Sequence, residues 1–557
     1  MRASTDMFDR YDPPVLGANP FVGLTRRQVT AALARVAQRA AVEPATAAAT
    51  ALDATGQLIR VGVGRSDVAP GPGDRRFADQ AWRKNPVFRR LMQAYLIEQQ
   101  AAHQLIDEIE LDDKSRQRAH FAMSLMTEAV APTNNLLTNP NALARAAQTR
   151  GHSLLAGARH FAHDVRHNGG MPSQVDTRPF HVGGNLATTP GQVVHRGEVF
   201  ELIQYEETTS KVHQRPLVAI PPQINKYYIS DLAPGRSLVE ATVAAGIPYF
   251  TISWRNPTPE QRDWNLDTYV AAAKEAIEAA AEISRSDAVN TVGMCAGGVT
   301  LAALLGHLAA TGQSGLVNSA TFLVAGLDTA TETTITSLAS RRAVEAARTR
   351  SQRSGILSGE DMARVFAWLR PNDLVWNYWV NNYLLGQNPP AFDILYWNND
   401  TTRLPAGLHS DFLDLYLTNG LITGALEVLG TPVDLAQVVC DSFVVAGATD
   451  HIISWDGAYR TTQVLGGDSR FVLSNGGHIQ AILNPPRNPK ASYLISDALP
   501  PTAAEWRESA TRVPGSWWTL WHQWLGARSG DTRSARKRAG DAAHPPLDSA
   551  PGRYVHL

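Results

Sequence analysis

The sequence predicts an α/β domain with a mostly parallel sheet, preceded by an all-helical domain. Two observations predict this arrangement. Helical spacing of apolar residues dominates up to about residue 168, whereas short apolar stretches alternate with helical ones from about residue 195. In addition, a chain of 557 residues exceeds what one hydrophobic core usually organises, so more than one domain is expected.

The predicted helical domain covers residues 1–180. Residues 25–41 and 85–109 both carry apolar side chains at helical spacing, and in the second stretch these side chains form one stripe. The sequence RHNGGMPSQVD, over residues 166–176, is rich in glycine and polar residues. Such a composition is typical of a link between domains.

The predicted α/β domain covers residues 181–527, and a long helix is expected over residues 266–284. Strands are predicted at residues 198–206, 215–220, 247–254, 288–294, 441–448 and 469–475. A helical, aromatic-rich stretch at about 330–430 predicts a cap inserted over the sheet. The polar residues 528–557 predict a flexible tail.

Composition and charge exclude several classes of function. The formal net charge of −1 gives no global basis for binding nucleic acid or an anionic membrane. Two cysteines cannot build a disulfide framework, which fits a reducing compartment. The first residues lack the apolar core of a signal peptide, and no apolar run approaches the roughly 20 residues of a membrane helix. We expect a cytoplasmic protein without a transmembrane segment, a nucleic-acid partner, a metal site or a cofactor.

The sequence TVGMCAGGVT, at residues 291–300, places Cys295 between glycines, after a predicted strand and before an apolar helix. This strand–turn–helix context is that of the nucleophile elbow of α/β-hydrolases, with cysteine in place of serine. The helix N-terminus behind the elbow favours a thiolate and a developing oxyanion. The turn by itself fits equally well a small buried cysteine with no chemical role.

Two later residues favour the catalytic interpretation. Asp450 follows the predicted strand 441–448, and His478 follows the predicted strand 469–475. An α/β-hydrolase sheet presents nucleophile, acid and histidine in this chain order, on loops at the carboxyl ends of strands. The fold expected for the second domain is therefore an α/β-hydrolase fold with a helical cap.

Other candidates fit less well. Ser153, in GHSLLAG, has Leu155 where a lipase motif needs its second glycine, and its segment is predicted to be helical. His451 is an alternative base, but adjacent residues on an extended chain point in opposite directions. Cys440 lies in an apolar stretch and is predicted to be buried and inert.

Several blocks of the chain resemble the poly(3-hydroxyalkanoate) synthase family, over about residues 15 to 527. The blocks occur in the family's order, at residues 74–96, 221–232, 253–258, 293–298, 370–386, 449–452 and 476–486. The stretches FDILYWNNDTTRLP and PGRYVHL are most similar to the class II enzymes of medium-chain substrates. One departure is Ala296, where serine is frequent. Because a backbone N–H is expected to act there, this departure should matter little.

The resemblance implies Cys295 as the nucleophile, His478 as its base and Asp450 as the third member. It implies polymerisation of (R)-3-hydroxyacyl-CoA into a polyester, with coenzyme A as the leaving group. Asp450 either orients the histidine or helps to activate the hydroxyl of the growing chain. The partners implied are that polyester chain, a second copy of this chain as a homodimer, and cytoplasmic polyhydroxyalkanoate granules with their associated proteins.

Four further residues are assigned to the surroundings of the predicted site. The backbone N–H groups of Ala296 and Ile224 are expected to form the oxyanion hole. In the family fold that the resemblance implies, Ala325 and Gln480 are expected to line the acyl pocket, although Ala325 could equally pack the sheet. The alternative functions are a thiol-dependent α/β-hydrolase or thioesterase, and a non-enzymatic granule coat. The first does not need the long helical domain, and the second does not need the Cys–Asp–His order.

Overall fold

The protein forms two compact units in a computed structural model that describes residues 16–19, 22–24, 26–330 and 341–557. Of the described residues, the first unit comprises those within 1–178, 333–343 and 362–392. The second comprises the described residues within 179–332, 344–361 and 393–557. The predicted cap at 330–430 is therefore divided between the two units, and its central part belongs to the helical one.

The first unit is built from helices with clear sequence-encoded starts. Asn85 accepts a hydrogen bond from Val87 N (2.9 Å) at the start of α4, and Asp112 accepts one from Ser115 N (2.9 Å) at the start of α5. The helices are α1 (Arg26–Val42), α2 (Pro44–Gly62), α3 (Ala81–Lys84), α4 (Pro86–Glu108), α5 (Asp113–Ala129), α6 (Pro140–Gln148) and α7 (His152–His167).

Residues 362–392 pack into this unit by a close backbone approach. A Cβ atom at Gly157 of α7 would lie 1.9 Å from the carbonyl oxygen of Tyr383, so only glycine fits there. Tyr383 also donates a hydrogen bond to Asp164 (2.8 Å), and its ring packs edge-on against Phe161. Tyr383 lies in the second of two π-helical stretches, Asn372–Trp376 and Trp379–Leu384.

The second unit contains a large mixed sheet, and the six strands predicted from the sequence all belong to it. Its strands are β1 (Gly191–Arg196), β2 (Phe200–Tyr205), β3 (Leu217–Ile220), β4 (Tyr249–Trp254), β5 (Val289–Met294), β6 (Val317–Leu323), β7 (Asp441–Gly447), β8 (Ser469–Ser474), β9 (Ser492–Ile495), β10 (Thr511–Pro514) and β11 (Asp548–Ser549).

The order of strands across the sheet is β10-β9-β8-β7-β6-β5-β3-β4-β2-β1-β11. The central strands β4, β3, β5, β6, β7 and β8 are parallel, and the outer strands pair antiparallel. Because the carboxyl ends of parallel strands meet at one edge, the loops after β3, β5, β7 and β8 come together there. This arrangement confirms the predicted α/β-hydrolase fold.

The remaining helices flank this sheet or belong to the region between β6 and β7. They are α8 (Leu238–Ala244), α9 (Leu266–Ser284), α10 (Ala296–Ala310), α11 (Arg341–Ser354), α12 (Gly359–Leu369), α13 (Asp393–Asn399), α14 (Ala406–Thr418), α15 (Gly420–Thr423), α16 (Trp455–Tyr459), α17 (Thr461–Val464), α18 (His478–Ile482), α19 (Ala503–Ser509) and α20 (Trp517–Gly526). Buried tryptophans at 517, 518, 521 and 524 place α20 in the main core. In the described part of the chain, no helix is both long and apolar enough to cross a membrane.

The prediction of a flexible tail at residues 528–557 is wrong. Thr532–Ser534 pairs with Lys211–His213, and β11 extends the large sheet by pairing with β1. Arg533 forms an ion pair with Glu207 (2.6 Å), and Val555 is buried in the core. Some of the charged residues that suggested a solvated tail form ion pairs, as Arg528 does with Asp441 and Arg533 with Glu207.

Candidate active site

The turn that carries Cys295 joins β5 to α10. The backbone of Cys295 has φ +51° and ψ −121°, a conformation that costs a residue with a side chain about 1–3 kcal/mol. Its N–H donates to the carbonyl oxygen of Leu323 in β6, and its carbonyl oxygen accepts from Gly298 N, both at 2.9 Å. The turn has the strand–turn–helix form that the sequence predicts.

Glycines around the turn are required by close backbone approaches. A Cβ atom at Gly293 would lie 2.7 Å from the Cα of Gly298. One at Gly297 would lie 2.1 Å from the carbonyl oxygen of Ile220, and one at Gly298 would lie 2.4 Å from the Cβ of Ala325. The glycines thus allow the helix behind the cysteine to pack directly on β3 and β6.

His478 and Asp450 meet at the carboxyl ends of β8 and β7. Nδ1 of His478 lies 2.7 Å from Oδ2 of Asp450, and the two side chains are 5% and 1% exposed. The other carboxylate oxygen accepts hydrogen bonds from the N–H groups of Ile452 (2.8 Å) and Ile453 (3.1 Å). The carboxylate is therefore fixed, and it orients the imidazole.

The charge of this pair is set by its neighbours. Burial alone lowers the pKa of His478, but the Asp450 carboxylate and the Cys295 sulfur raise it, to about 10 overall. Burial alone raises the pKa of Asp450, but His478 and the two backbone N–H groups bring it below its ordinary value. The imidazolium–carboxylate pair is the favoured state at neutral pH.

The Cys295 sulfur lies close enough to the His478 ring to help raise the pKa of the imidazole. Since Nδ1 of His478 is held by Asp450, the other ring nitrogen is the one available to the sulfur. The structure therefore brings Cys295, His478 and Asp450 together in one site. The alternative base His451 is exposed on the loop after Asp450.

The loop after β3, residues 221–226, lies beside the start of α10. The close approach of Gly297 to Ile220 and Pro221 fixes this neighbourhood. Ile224, the expected second oxyanion donor, is 5% exposed in this loop, and Ala296, the expected first donor, is 8% exposed at the start of α10. The role of these two backbone N–H groups as oxyanion donors stays a prediction.

The expected pocket residues have other surroundings. Ala325 has no exposed surface, and its methyl group faces Gly298 behind the nucleophile turn. This position favours packing, the alternative that the sequence left open. Gln480 is exposed, and its side chain accepts a hydrogen bond from Gly477 N (3.5 Å) at the start of α18. Its surroundings favour capping of the helix that carries His478.

The remaining nucleophile candidates lie elsewhere. Ser153 is buried within α7, and its hydroxyl accepts a hydrogen bond from the hydroxyl of Thr149 (3.0 Å). Cys440 is only partly buried, and burial raises the pKa of its thiol to about 11, so little thiolate forms at neutral pH. Within the described residues, no group of three or more His, Cys, Asp or Glu side chains could hold a metal ion.

Two residues near the site were missed by sequence reasoning. Gln223 is 4% exposed, and its amide donates to the hydroxyl of Thr300 in α10 (2.9 Å), which ties the loop to the nucleophile helix. Tyr416 lies on α14, where burial, with a smaller contribution from Cys295, raises the pKa of its phenol. Gln223 lies in the block 221–232, but its contact with Thr300 is long-range and no local pattern marks it. Tyr416 belongs to no motif that the sequence analysis identified.

Comparison with known proteins finds relatives that match nearly the whole length of the chain. Residues 73–242 match the family described as "Poly-beta-hydroxybutyrate polymerase (PhaC) N-terminus", and residues 227–485 match "alpha/beta hydrolase fold". The chain is 50% identical to Poly(3-hydroxyalkanoate) polymerase 2 of Ectopseudomonas oleovorans, over 96% of each chain. It is 47% identical to polymerase 1 of the same organism, over 97% of each chain. A polymerase subunit of Cupriavidus necator is 42% identical over 87% of this chain and 84% of its own.

Proposed function

This chain belongs to the family of poly(3-hydroxyalkanoate) polymerases, which are acyltransferases, and we propose that it polymerises (R)-3-hydroxyacyl-CoA thioesters through an acyl intermediate on Cys295. One observation carries the proposal. Cys295 lies in a strained turn beside an imidazole that a buried carboxylate holds in the charged form. Such a pair makes a free cysteine nucleophilic at neutral pH.

In the first step, the Cys295 thiolate attacks the thioester carbonyl carbon of the substrate. A new carbon–sulfur bond forms, the carbonyl electrons move to oxygen, and the backbone N–H groups of Ala296 and Ile224 hold the oxyanion. The oxyanion then collapses and expels the thiolate of coenzyme A, which takes the proton of His478. One thioester has replaced another, so the acyl group stays activated.

In the second step, the hydroxyl of the growing chain attacks the acyl-thioenzyme. His478, now neutral, takes the hydroxyl proton, and collapse of the tetrahedral intermediate forms the ester and returns the Cys295 thiolate. Asp450 acts through His478, because it touches the histidine and two backbone N–H groups. These steps use side chains and backbone N–H groups of the chain, and coenzyme A enters and leaves with the substrate.

A preference for medium-chain substrates is proposed because residues 392–405 and 551–557 resemble class II enzymes.

Dimer formation and attachment to cytoplasmic granules are proposed for the helical unit. Most of the large apolar side chains that are exposed among the described residues lie on that unit, and this observation supports the assignment. Examples are Leu52 (71%), Ile59 (62%), Val130 (76%) and Leu137 (76%).

The test is turnover of 3-hydroxyacyl-CoA substrates of four to ten carbons by the purified protein. The proposal predicts release of coenzyme A together with insoluble polyester, at the highest kcat/KM for the longer substrates. Release of coenzyme A with free hydroxy acid as the only product would establish the alternative, a thioesterase, because water would then replace the chain hydroxyl. No release of coenzyme A would overturn both functions.

A further inference from the structure

Residues 552–557 form hydrogen bonds that help to hold the loop 221–226 in place. This loop contains Ile224, the expected second oxyanion donor. Residues 552–557, here called the strap, follow β11. We propose that the strap positions the loop 221–226 against Cys295, so that it acts on catalysis and not only on stability. This proposal rests on the proposed acyl-transfer function.

The strap is anchored by a buried carboxylate. Glu201 in β2 has no exposed surface, and its Oε2 accepts hydrogen bonds from the backbone N–H groups of Arg553 and Tyr554, both at 2.9 Å. Arg196 donates to Oε1 (2.6 Å). A Cβ at Gly552 would lie 2.4 Å from Oε2, so a larger residue would displace the carboxylate. Because an unpaired buried carboxylate is costly, these contacts fix the strap strongly.

From this anchor the strap reaches the loop through Lys226. The ammonium of Lys226 donates to the carbonyl oxygen of Val555 (2.6 Å) and pairs with Asp400 (2.8 Å). The Lys226 side chain is only 9% exposed, and Val555 is 2% exposed, so the contact is shielded from water. Asn256 in addition donates to the carbonyl oxygen of Leu557 (3.1 Å).

The other end of the same loop is held to the nucleophile helix. Gln223 donates to Thr300 of α10 (2.9 Å), and the carbonyl oxygen of Gln223 accepts from Thr402 (2.9 Å). Trp254 donates to the carbonyl oxygen of Pro221 (2.8 Å). Ile224 therefore lies between a contact to α10 on one side and the strap contact of Lys226 on the other. An oxyanion donor must be placed within a few tenths of an ångström of its working position. If either contact of the loop is released, we therefore expect the N–H of Ile224 to be displaced.

The experiment compares two reactions of Cys295 that differ in their need for an oxyanion hole. Acylation by a 3-hydroxyacyl-CoA passes through a tetrahedral oxyanion. Alkylation by iodoacetamide displaces iodide from a saturated carbon and forms no oxyanion, so it reports only the thiolate and His478. Both rates are measured on the full chain, with the modified cysteine identified by peptide mass spectrometry.

The first variant deletes residues 555–557, which removes the acceptor of Lys226 and leaves the Glu201 anchor. Acylation should fall at least tenfold through kcat, with KM within twofold and alkylation within twofold. Lys226→Met should give the same pattern, and the double variant should lose no more than the worse single variant. His556→Ala, which removes an exposed side chain from the strap, should match the parent in both reactions.

Several outcomes would overturn the proposal. Parent-like acylation in both variants would show that the strap does not position the loop. Equal loss of acylation and alkylation would show a general structural effect, and additive losses in the double variant would show that Lys226 is not the link. If the deletion variant does not fold, the Lys226→Met variant decides whether the strap contact positions the loop. A parent chain that is alkylated but never acylated would instead refute the proposed function itself.

Discussion

Gly297→Ala tests the packing behind the nucleophile. The new Cβ would lie 2.1 Å from the carbonyl oxygen of Ile220 and 2.7 Å from the carbonyl carbon and oxygen of Pro221. These are backbone atoms, so no side-chain rotation relieves the contact. Reaching even a tight 3.0 Å separation requires α10 and the loop after β3 to part by about 0.9 Å.

A shift of about 1 Å at a catalytic group can lower the rate on the order of 10²-fold, and overpacking costs about 1–3 kcal/mol of stability. We therefore expect Gly297→Ala to lower kcat/KM for release of coenzyme A about 100-fold and to lower the melting temperature. Gly56→Ala is the matched control. A Cβ at this exposed position in α2 meets nothing within 4 Å, so activity should be unchanged and stability should rise by about 0.5–1 kcal/mol.

The assay follows the free thiol of coenzyme A under steady-state conditions, with circular dichroism on the same samples. If Gly297→Ala retained the parent's kcat/KM and melting temperature, the close approach of α10 to β3 would not be required. The positioning of the loop 221–226 by that approach would then be refuted.

Three further predictions follow from the same site. Cys295→Ala should abolish release of coenzyme A while the melting temperature stays within a few degrees, and Cys440→Ala should keep most activity; reversed phenotypes would refute the assignment. Asp450→Asn removes a charge that raises the pKa of His478 to about 10. The imidazolium is therefore lost at lower pH, and the alkaline limb of kcat/KM for release of coenzyme A should move to lower pH; an unmoved limb would contradict this role. Ala325→Leu should cost about 1–3 kcal/mol by overpacking and leave the C10 to C4 ratio of kcat/KM unchanged; a changed ratio would restore its predicted role in the pocket.

Local patterns account for what the sequence predicted well. The predicted helix over 266–284 matches α9, whose start is capped by Asn265. The strand before Cys295 and the apolar helix after it need only neighbouring residues to be recognised. The order of Cys295, Asp450 and His478 along the chain, with the topology of the fold, was then enough to predict the site where they meet.

Long-range packing accounts for what the sequence did not predict. The association of Tyr383 with Gly157 depends on a backbone approach between segments more than 200 residues apart, and no local pattern marks it. The structure of residues 528–557 was not predicted because an arginine such as Arg533 looks the same in a solvated segment and in one where it pairs with a carboxylate, here that of Glu207. A buried glutamate in a strand gives no sign of its partner in the sequence.

The proposed mechanism depends most on a covalent acyl group at Cys295. The most direct measurement mixes the purified protein with one equivalent of a 3-hydroxyacyl-CoA, quenches it in acid within a second and maps the peptides by mass spectrometry. We predict that the peptide containing residues 291–300 gains the mass of one 3-hydroxyacyl group at Cys295, and that the same mass is absent in Cys295→Ala. An acyl group on any other residue, or turnover without a covalent intermediate in the parent and in Cys295→Ala alike, would contradict the proposed mechanism.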